Sequence, residues 1–518
     1  MALLLRLALA CLVLVGLGAH PLFPPPATAS PPLPTATPTA TPVPTTELIP
    51  LADQRAVMLA ETAADLERAN AWDRYRITAT LDPKALTITG NLAVAVRNRT
   101  GAALEALYFH LYPNHPDFSG SLTVEDVRAN GQAVRTTREQ GAVLLRVALA
   151  QPLAQQATVT LTLRFTAKTP RNASADAYGA FNQEAGVWAL TNFYPILARY
   201  FPGSGWDRRV VNSRGDFVVS EVALYDVTLD APTAWALVTT GVQVDTPQTK
   251  PAPKAGMRRV RYVSGPQREF FVAALNGLDQ VSAIVEGTRI VASYQRGNVT
   301  AGKRSLEVAS NALRAFNARY GRYPFAELEV VQAALTSFLG VEYPGIVLIE
   351  QNLYHRMGSD LETTIAHEVA HQWWYSQVGN DFQGEPWLDE SMASFSQIVY
   401  YEFLGDTQLA DQELATFRQS YITARDAGRD GAINRHVAEY SRNYYALVYA
   451  KGALFFQALR NKLGEATFNR FLQRYYYDNR YREVTGADLL TTAEASCTCD
   501  LASFYAAWVT NAAAVTVP

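Results

Sequence analysis

Thr363–Phe395, TTIAHEVAHQWWYSQVGNDFQGEPWLDESMASF, carries the residues whose types and spacing could do chemistry. Within it, His367-Glu368-Val369-Ala370-His371 is an H-E-x-x-H run, followed by Trp387-Leu388-Asp389-Glu390. Residues four apart on an α-helix share a face, so His367 and His371 can present two imidazoles to one point. Two imidazole nitrogens and a carboxylate oxygen suit a zinc ion that keeps its fourth position for water. Glu368, beside the first histidine, can reach that water as general base. The 18 residues between His371 and Glu390 allow a turn and a returning helix, which makes Glu390 the third ligand. The chemistry this set implies is hydrolysis at one Zn²⁺ per chain.

Those side chains need a helix with an apolar back, and Ile365, Val369, Trp373 and Trp374 supply one. Two histidines inside such a helix are half-buried and require partners. The chain has only 7 histidines in 518 residues, so a chance pair around a glutamate fits less well than a metal site. At this length two or three domains are expected. Hydrophobic residues make up 48% and charged residues 18%, the balance of a globular protein. A formal net charge of -3 gives no basic face for nucleic acid or for a membrane surface.

Residues 1–29 read as an export signal: one arginine, an apolar run from Leu7 to Gly18, then Ala27-Thr28-Ala29 as a small-residue cleavage site. Twelve apolar residues are too few to span a bilayer, although Leu3–Leu5 could lengthen the run into an uncleaved anchor. Residues 30–50, SPPLPTATPTATPVPTTELIP, form a Pro/Thr-rich linker that favours neither helix nor sheet. The expected location is therefore extracytoplasmic, secreted or tethered to the cell surface. Once the signal is removed only Cys497 and Cys499 remain; they could close a very small ring or bind a metal, but a bridge across one residue is strained and incidental thiols are the expectation.

From Leu51 to Ala71 the spacing is helical; from Tyr75 the period falls to two. Strand-sized apolar runs then recur at 76–81, 85–90, 92–96, 107–110, 143–147, 157–165, 225–229 and 235–239. They predict an N-terminal antiparallel β domain over 51–267. His110 and His115 fall inside it and are expected to be structural. Beyond it, strands at 283–286, 289–294, 327–332 and 345–350 surround a helix from Lys303 to about Tyr320, with helices and loops after the metal stretch. The expected fold is thus multidomain α+β, with an α+β catalytic domain over 268–518 that ends in helices.

H-E-V-A-H-Q-W-W, the 18-residue gap and W-L-D-E-S together resemble the aminopeptidase N / leukotriene hydrolase family of zinc metallopeptidases. The resemblance is specific from Phe270 to about Leu463, and looser over Leu107–Asn114, LYFHLYPN. It implies a thermolysin-like catalytic domain behind a β domain, zinc as cofactor and peptides as substrates. The family's G-x-M-E-N strand corresponds to Leu339-Gly340-Val341-Glu342-Tyr343. Gly340 and Val341 would then line the substrate, and Glu342 would hold its free α-ammonium. Leu339, Val341 and Tyr343 depart from the family's Gly, Met and Asn. Tyr449-Ala450-Lys451-Gly452-Ala453 resembles the Y-x-K-G-A segment, whose tyrosine donates to the oxyanion. Leu197–Pro202 matches an A-R-x-F-P-like segment, with Asn192 where a second amine ligand would stand, and Gln397 occupies the place of an acid that orients a zinc histidine.

Three functions remain open on the sequence. The first is a zinc aminopeptidase that removes N-terminal residues. The second is a thermolysin-like zinc endopeptidase, should the altered 339–343 strand no longer demand a free terminus. The third is a peptide-binding scaffold without turnover.

Overall fold

The computed structural model describes residues 51–171, 181–212, 218–244, 253–512 and 515–517. The export signal and the Pro/Thr-rich linker lie outside the described residues. In the N-terminal part, period-two patterning produces strands that bury alternate side chains. In Thr158–Lys168, for example, Val159, Leu161, Leu163, Phe165 and Ala167 face inward. This strand belongs to an eight-stranded sheet ordered Val242–Val244, Met257–Val263, Ala223–Pro232, Asp73–Asp82, Thr87–Arg97, Thr158–Lys168, Ser121–Ala129 and Gln132–Ala133. All its neighbours are antiparallel except one pair, Asp73–Asp82 with Ala223–Pro232, which run parallel with Tyr75 opposite Tyr225. The antiparallel domain expected from the sequence departs from that pattern at this one pair. A parallel pair needs a long crossover, and most of the domain lies between these two strands.

A two-stranded pair, Tyr200–Phe201 with Gly205–Trp206, and two four-stranded sheets accompany the eight-stranded sheet in the β part. One contains Leu104–His110 and Leu144–Leu153. The other joins Phe181–Glu184, Val187–Leu190, Ala236–Thr239 and Val272–Leu275. His110 and His115 are buried in this part, as structural histidines would be.

The second part is built on a five-stranded mixed sheet ordered Leu278–Val285, Thr288–Gln295, Glu327–Ala333, Ile346–Glu350 and Gly340–Tyr343. Its strands Glu327–Ala333 and Ile346–Glu350 are apolar on both faces. Leu328, Val330, Val347 and Ile349 pack on the helices, while Val331, Ala333, Ile346 and Leu348 pack on the β core. A sheet covered on both sides reads as a continuous apolar run. The helices Val299–Arg319, Ser359–Ala370, Trp387–Leu404 and Gly452–Leu463 follow, so the chain is an N-terminal β domain succeeded by an α+β unit that ends in helices.

Three further details differ from expectation. Residues 51–71 do not form one helix: a short helix, Leu51–Ala56, is followed by a 3₁₀ segment, Ala63–Ala71. Between them Met58 forms a β-bridge with Phe325, and Met58, Leu66, Ala69 and Trp72 pack with the helical core. Packing there outweighs local helical spacing. A two-residue strand, Arg482–Glu483, pairs with Val378–Gly379 in the part expected to hold only helices and loops. Finally, Cys497 and Cys499 are joined in a disulfide, with Cα atoms 5.2 Å apart. The helix Gly486–Cys497 ends on Thr498 in the left-handed region (φ 55°), and that turn brings the two side chains together.

Candidate active site

The helix Ser359–Ala370 lies against the mixed sheet, and His367 and Glu368 are buried on it. His371 is its C-terminal cap residue, with φ and ψ still helical, so it keeps the four-residue spacing from His367. Glu390 sits in the first turn of Trp387–Leu404, a helix apolar over most of its surface and packed directly on the first. The two helices bring three donor atoms together. Nε2 of His367 is 3.1 Å from Oε2 of Glu390 and 3.1 Å from Nε2 of His371, and the third side of the triangle measures 3.4 Å. Ligands about 2.0–2.2 Å from a tetrahedral ion stand about 3.3–3.6 Å from one another, so this buried set fits zinc. His367, His371 and Glu390 are together the donor set expected from the sequence, and all three can hold a metal ion.

Both imidazoles are oriented from behind. Nδ1 of His371 lies 3.0 Å from the carbonyl of Trp374; with Nε2 kept for a metal, Nδ1 carries the proton and donates it there. Nδ1 of His367 meets the Gln397 side-chain amide at 3.2 Å, the position foreseen for it. Burial lowers the pKa of His367 despite Glu390. For Glu390 burial acts upward, but hydrogen bonds from both histidines outweigh it and hold the carboxyl below the usual range.

Glu368 is buried, and its Oε2 has no hydrogen-bond partner among the described residues. Burial pushes its pKa up to about 8, which makes it a poised acceptor of protons. It rests against the strand Gly340–Tyr343. A methyl group on Gly340 would overlap its carboxylate, so glycine at that position is what admits the acid. Glu342 lies two residues along the same strand, and its carboxylate, that of Glu368 and a ring nitrogen of His371 fall within 4.8 Å of one another. Val341 is half-buried between Gly340 and Glu342. Among the described residues the strand occupies an edge of the sheet and pairs on its inner side, Gly340 opposite Ile349 and Glu342 opposite Val347.

Gln372, which the sequence reading missed, ties this edge to the metal helix: its amide donates to the Tyr343 carbonyl (3.0 Å) and accepts from the Gly345 backbone (2.8 Å). A buried amide straight after a metal-site histidine was the available signal.

Tyr449 is on a π-helical stretch, Tyr445–Lys451, where the sequence had suggested only helix or loop. Wide turns of this kind recur at functional sites. Its hydroxyl donates to Oε1 of Glu390, and its ring stacks on His367 at 5.8 Å. Lys451 anchors the stretch by donating to Asp430 (3.0 Å) and to the Gly431 carbonyl (2.8 Å). Gly452 allows contact with the Glu390 helix, since a methyl there would overlap Oγ of Ser391, which itself donates to the Val448 carbonyl. Asn192 is fully buried with its amide nitrogen committed to Oε2 of Glu269 (2.8 Å) and to Thr191 (3.1 Å). Arg268 and Glu269, two buried charged residues directly before the apolar run Phe270–Leu275, also escaped the sequence reading. Opposite charges abutting such a run were the available signal.

Residues 304–508 match the peptidase family M1 domain. The rice (Oryza sativa subsp. japonica) aminopeptidase M1-B is 26% identical over 52% of this chain and 32% of its own length. Aminopeptidase M1 of Arabidopsis thaliana is 25% identical over 61% of this chain and 36% of its own. The chain therefore spans about a third of the length of these relatives. The crystal structure of an M1 zinc metallopeptidase from Deinococcus radiodurans superposes with a TM-score of 0.64 at 20% identity, covering 86% of this chain and 94% of that one. That likeness extends the shared fold across both parts of the molecule. The H-E-x-x-H helix and Glu390 both lie inside the segment that matches the peptidase family M1 domain, so the chain carries that domain over residues 304–508.

Proposed function

We propose that the protein is a zinc aminopeptidase that removes N-terminal residues from peptides outside the cytoplasm. The observation that carries this reading is the convergence of His367, His371 and Glu390 on one point, with the carboxylates of Glu368 and Glu342 beside it. Zinc bound by the three ligands would lower the pKa of a water to around 7 and polarise the scissile carbonyl. Glu368 takes the proton from that water as its oxygen bonds to the carbonyl carbon. The same carboxyl then delivers the proton to the amine as the C–N bond breaks. Tyr449 turns its hydroxyl from Glu390 to the developing oxyanion, a donation its high ordinary pKa keeps available. Glu342 pairs with the substrate's free α-ammonium, and the open edge of Gly340–Tyr343 accepts the peptide backbone as an added strand.

The position of Glu342 favours an exopeptidase over an endopeptidase, since a carboxylate so close to the base leaves room for about one residue before the cleaved bond. The extracytoplasmic location rests on the export signal read in residues 1–29. Among the described residues no helix is long and apolar enough to cross a membrane.

A direct test replaces Glu368 with Gln and measures hydrolysis of an aminoacyl reporter and bound zinc together. Zinc retained with a rate lower by about 10² to 10⁴ is expected. An unchanged rate would remove Glu368 from the chemistry. On one peptide with free and acetylated N-termini, only the free form should be cleaved; equal cleavage would make the protein an endopeptidase.

A further inference from the structure

Arg268 and Glu269 are consecutive and almost wholly buried (1% and 0% exposed), and both act on a single residue, Tyr375. Nε of Arg268 donates to the Tyr375 carbonyl at 2.7 Å, while the Tyr375 hydroxyl donates to Oε1 of Glu269. The backbone of Tyr375 has φ 152°, in the region that side-chain-bearing residues rarely adopt. Such a conformation persists only where the surroundings over-determine it. Here they do so from both ends of the residue.

The geometry points to a clamp on the metal site, and we propose that Arg268 and Glu269 are positioning residues for His371, acting through Tyr375. This inference rests on the zinc reading above. The φ torsion of Tyr375 is the one that swings the preceding peptide plane, whose carbonyl, that of Trp374, accepts the proton of His371 Nδ1 at 3.0 Å. Fixing Tyr375 therefore fixes the acceptor that sets the imidazole's tautomer and ring orientation. The clamp is itself braced. Arg268 also donates to the carbonyls of Arg482 (2.6 Å) and Ser220 (3.3 Å), and Glu269 accepts from Asn192 (2.8 Å) and Thr191 (3.3 Å). Gly379 makes space for it, because a methyl there would overlap the Arg268 guanidinium. Burying both an arginine and a glutamate is costly, and apolar residues of like volume would serve packing alone as well. A carboxylate and a guanidinium holding opposite ends of one strained residue meet a need for fixed orientation instead.

The test uses the full chain and Tyr375→Phe, which removes only the hydroxyl. Zinc affinity is measured by competition with a chelator, and the melting temperature is measured on the metal-free protein. A Kd for zinc weakened about tenfold or more, with the metal-free melting temperature within about 2 °C of wild type, is expected; groups that orient a ligand typically contribute 10- to 100-fold. Glu269→Gln, which keeps the volume, is the second variant should the first fold poorly, with the same result expected. On an aminoacyl reporter at saturating zinc, kcat should fall while KM stays within about twofold, the pattern of a lost transition-state interaction. Wild-type zinc affinity in both variants, or affinity lost only in step with the metal-free melting temperature, overturns the clamp. A wild-type chain that holds no zinc would overturn the clamp together with the site reading; unchanged variants beside a zinc-binding wild type overturn the clamp alone.

Discussion

At Gly340 the absence of a side chain decides whether the proposed base, Glu368, can stand beside the proposed ligands His367, His371 and Glu390. The Glu368 carboxylate occupies the space a Cβ would fill, on a strand whose next carboxylate, Glu342, is the proposed amine anchor. Gly340→Ala should therefore displace the base, the strand or both. A misplacement of about 1 Å can lower a rate by about 10², and a loss of this order in kcat is expected, with zinc content unchanged because His367, His371 and Glu390 are untouched. Assay of the purified variant beside metal analysis checks it; full activity would mean that the strand yields freely and that the contact is incidental. The same logic separates Glu368 from Glu390. Two buried carboxylates beside the same histidines, one on each helix, have opposite tendencies, the first pushed up by burial and the second held down by the imidazoles that face it. Environment sorts base from ligand.

Among elements, the π-helical stretch Tyr445–Lys451 and the helix Trp387–Leu404 form the second half of the site. Their contact depends on Gly452 and Ser391, where a methyl group and a hydroxyl could not coexist. On helix propensity alone Gly452→Ala would stabilise, by up to about 1 kcal/mol. The overlap should reverse that sign, because overpacking typically costs about 1–3 kcal/mol. Thermal denaturation should show a lower melting temperature, partly restored by Ser391→Ala in the double variant. A rise in melting temperature for Gly452→Ala would deny the close approach. Such contacts explain what could and could not be read from the chain. His367, His371, Glu390 and Glu368 were legible because the helical period and the returning helix are local properties, and Tyr449 because Lys451-Gly452 follows it. Gln372, Arg268, Glu269 and Tyr375 were not, since their partners are 27 to 214 residues away and no local period marks them. The parallel pairing of Asp73–Asp82 with Ala223–Pro232 was hidden for the same reason: both strands alternate identically whichever way they run. The Cys497–Cys499 disulfide depends on one left-handed residue, Thr498, a backbone torsion that composition does not announce.

In the whole molecule the mixed sheet is the shared wall. Its one face completes the β core and its other the helical core, and the edge strand that would receive a peptide is held by the β core through Val341 and Tyr343 and by the helix Ser359–Ala370. The ligands are positioned by these cores and by Gln372, Gln397 and the Trp374 carbonyl, which implies a site formed before any ion arrives. Zinc should then add stability without creating the fold, by about 4 kcal/mol when free zinc is a thousandfold above its Kd. The most direct measurement is zinc-edge X-ray absorption on the full chain at one equivalent of zinc, beside the same sample treated with a chelator and melted. Two nitrogen ligands and oxygen at about 2.0–2.2 Å are expected, with a cooperative melt that survives chelation at a lower temperature. Sulfur ligands at about 2.3 Å, or a chain that takes up no zinc, would contradict the three-residue site at His367, His371 and Glu390.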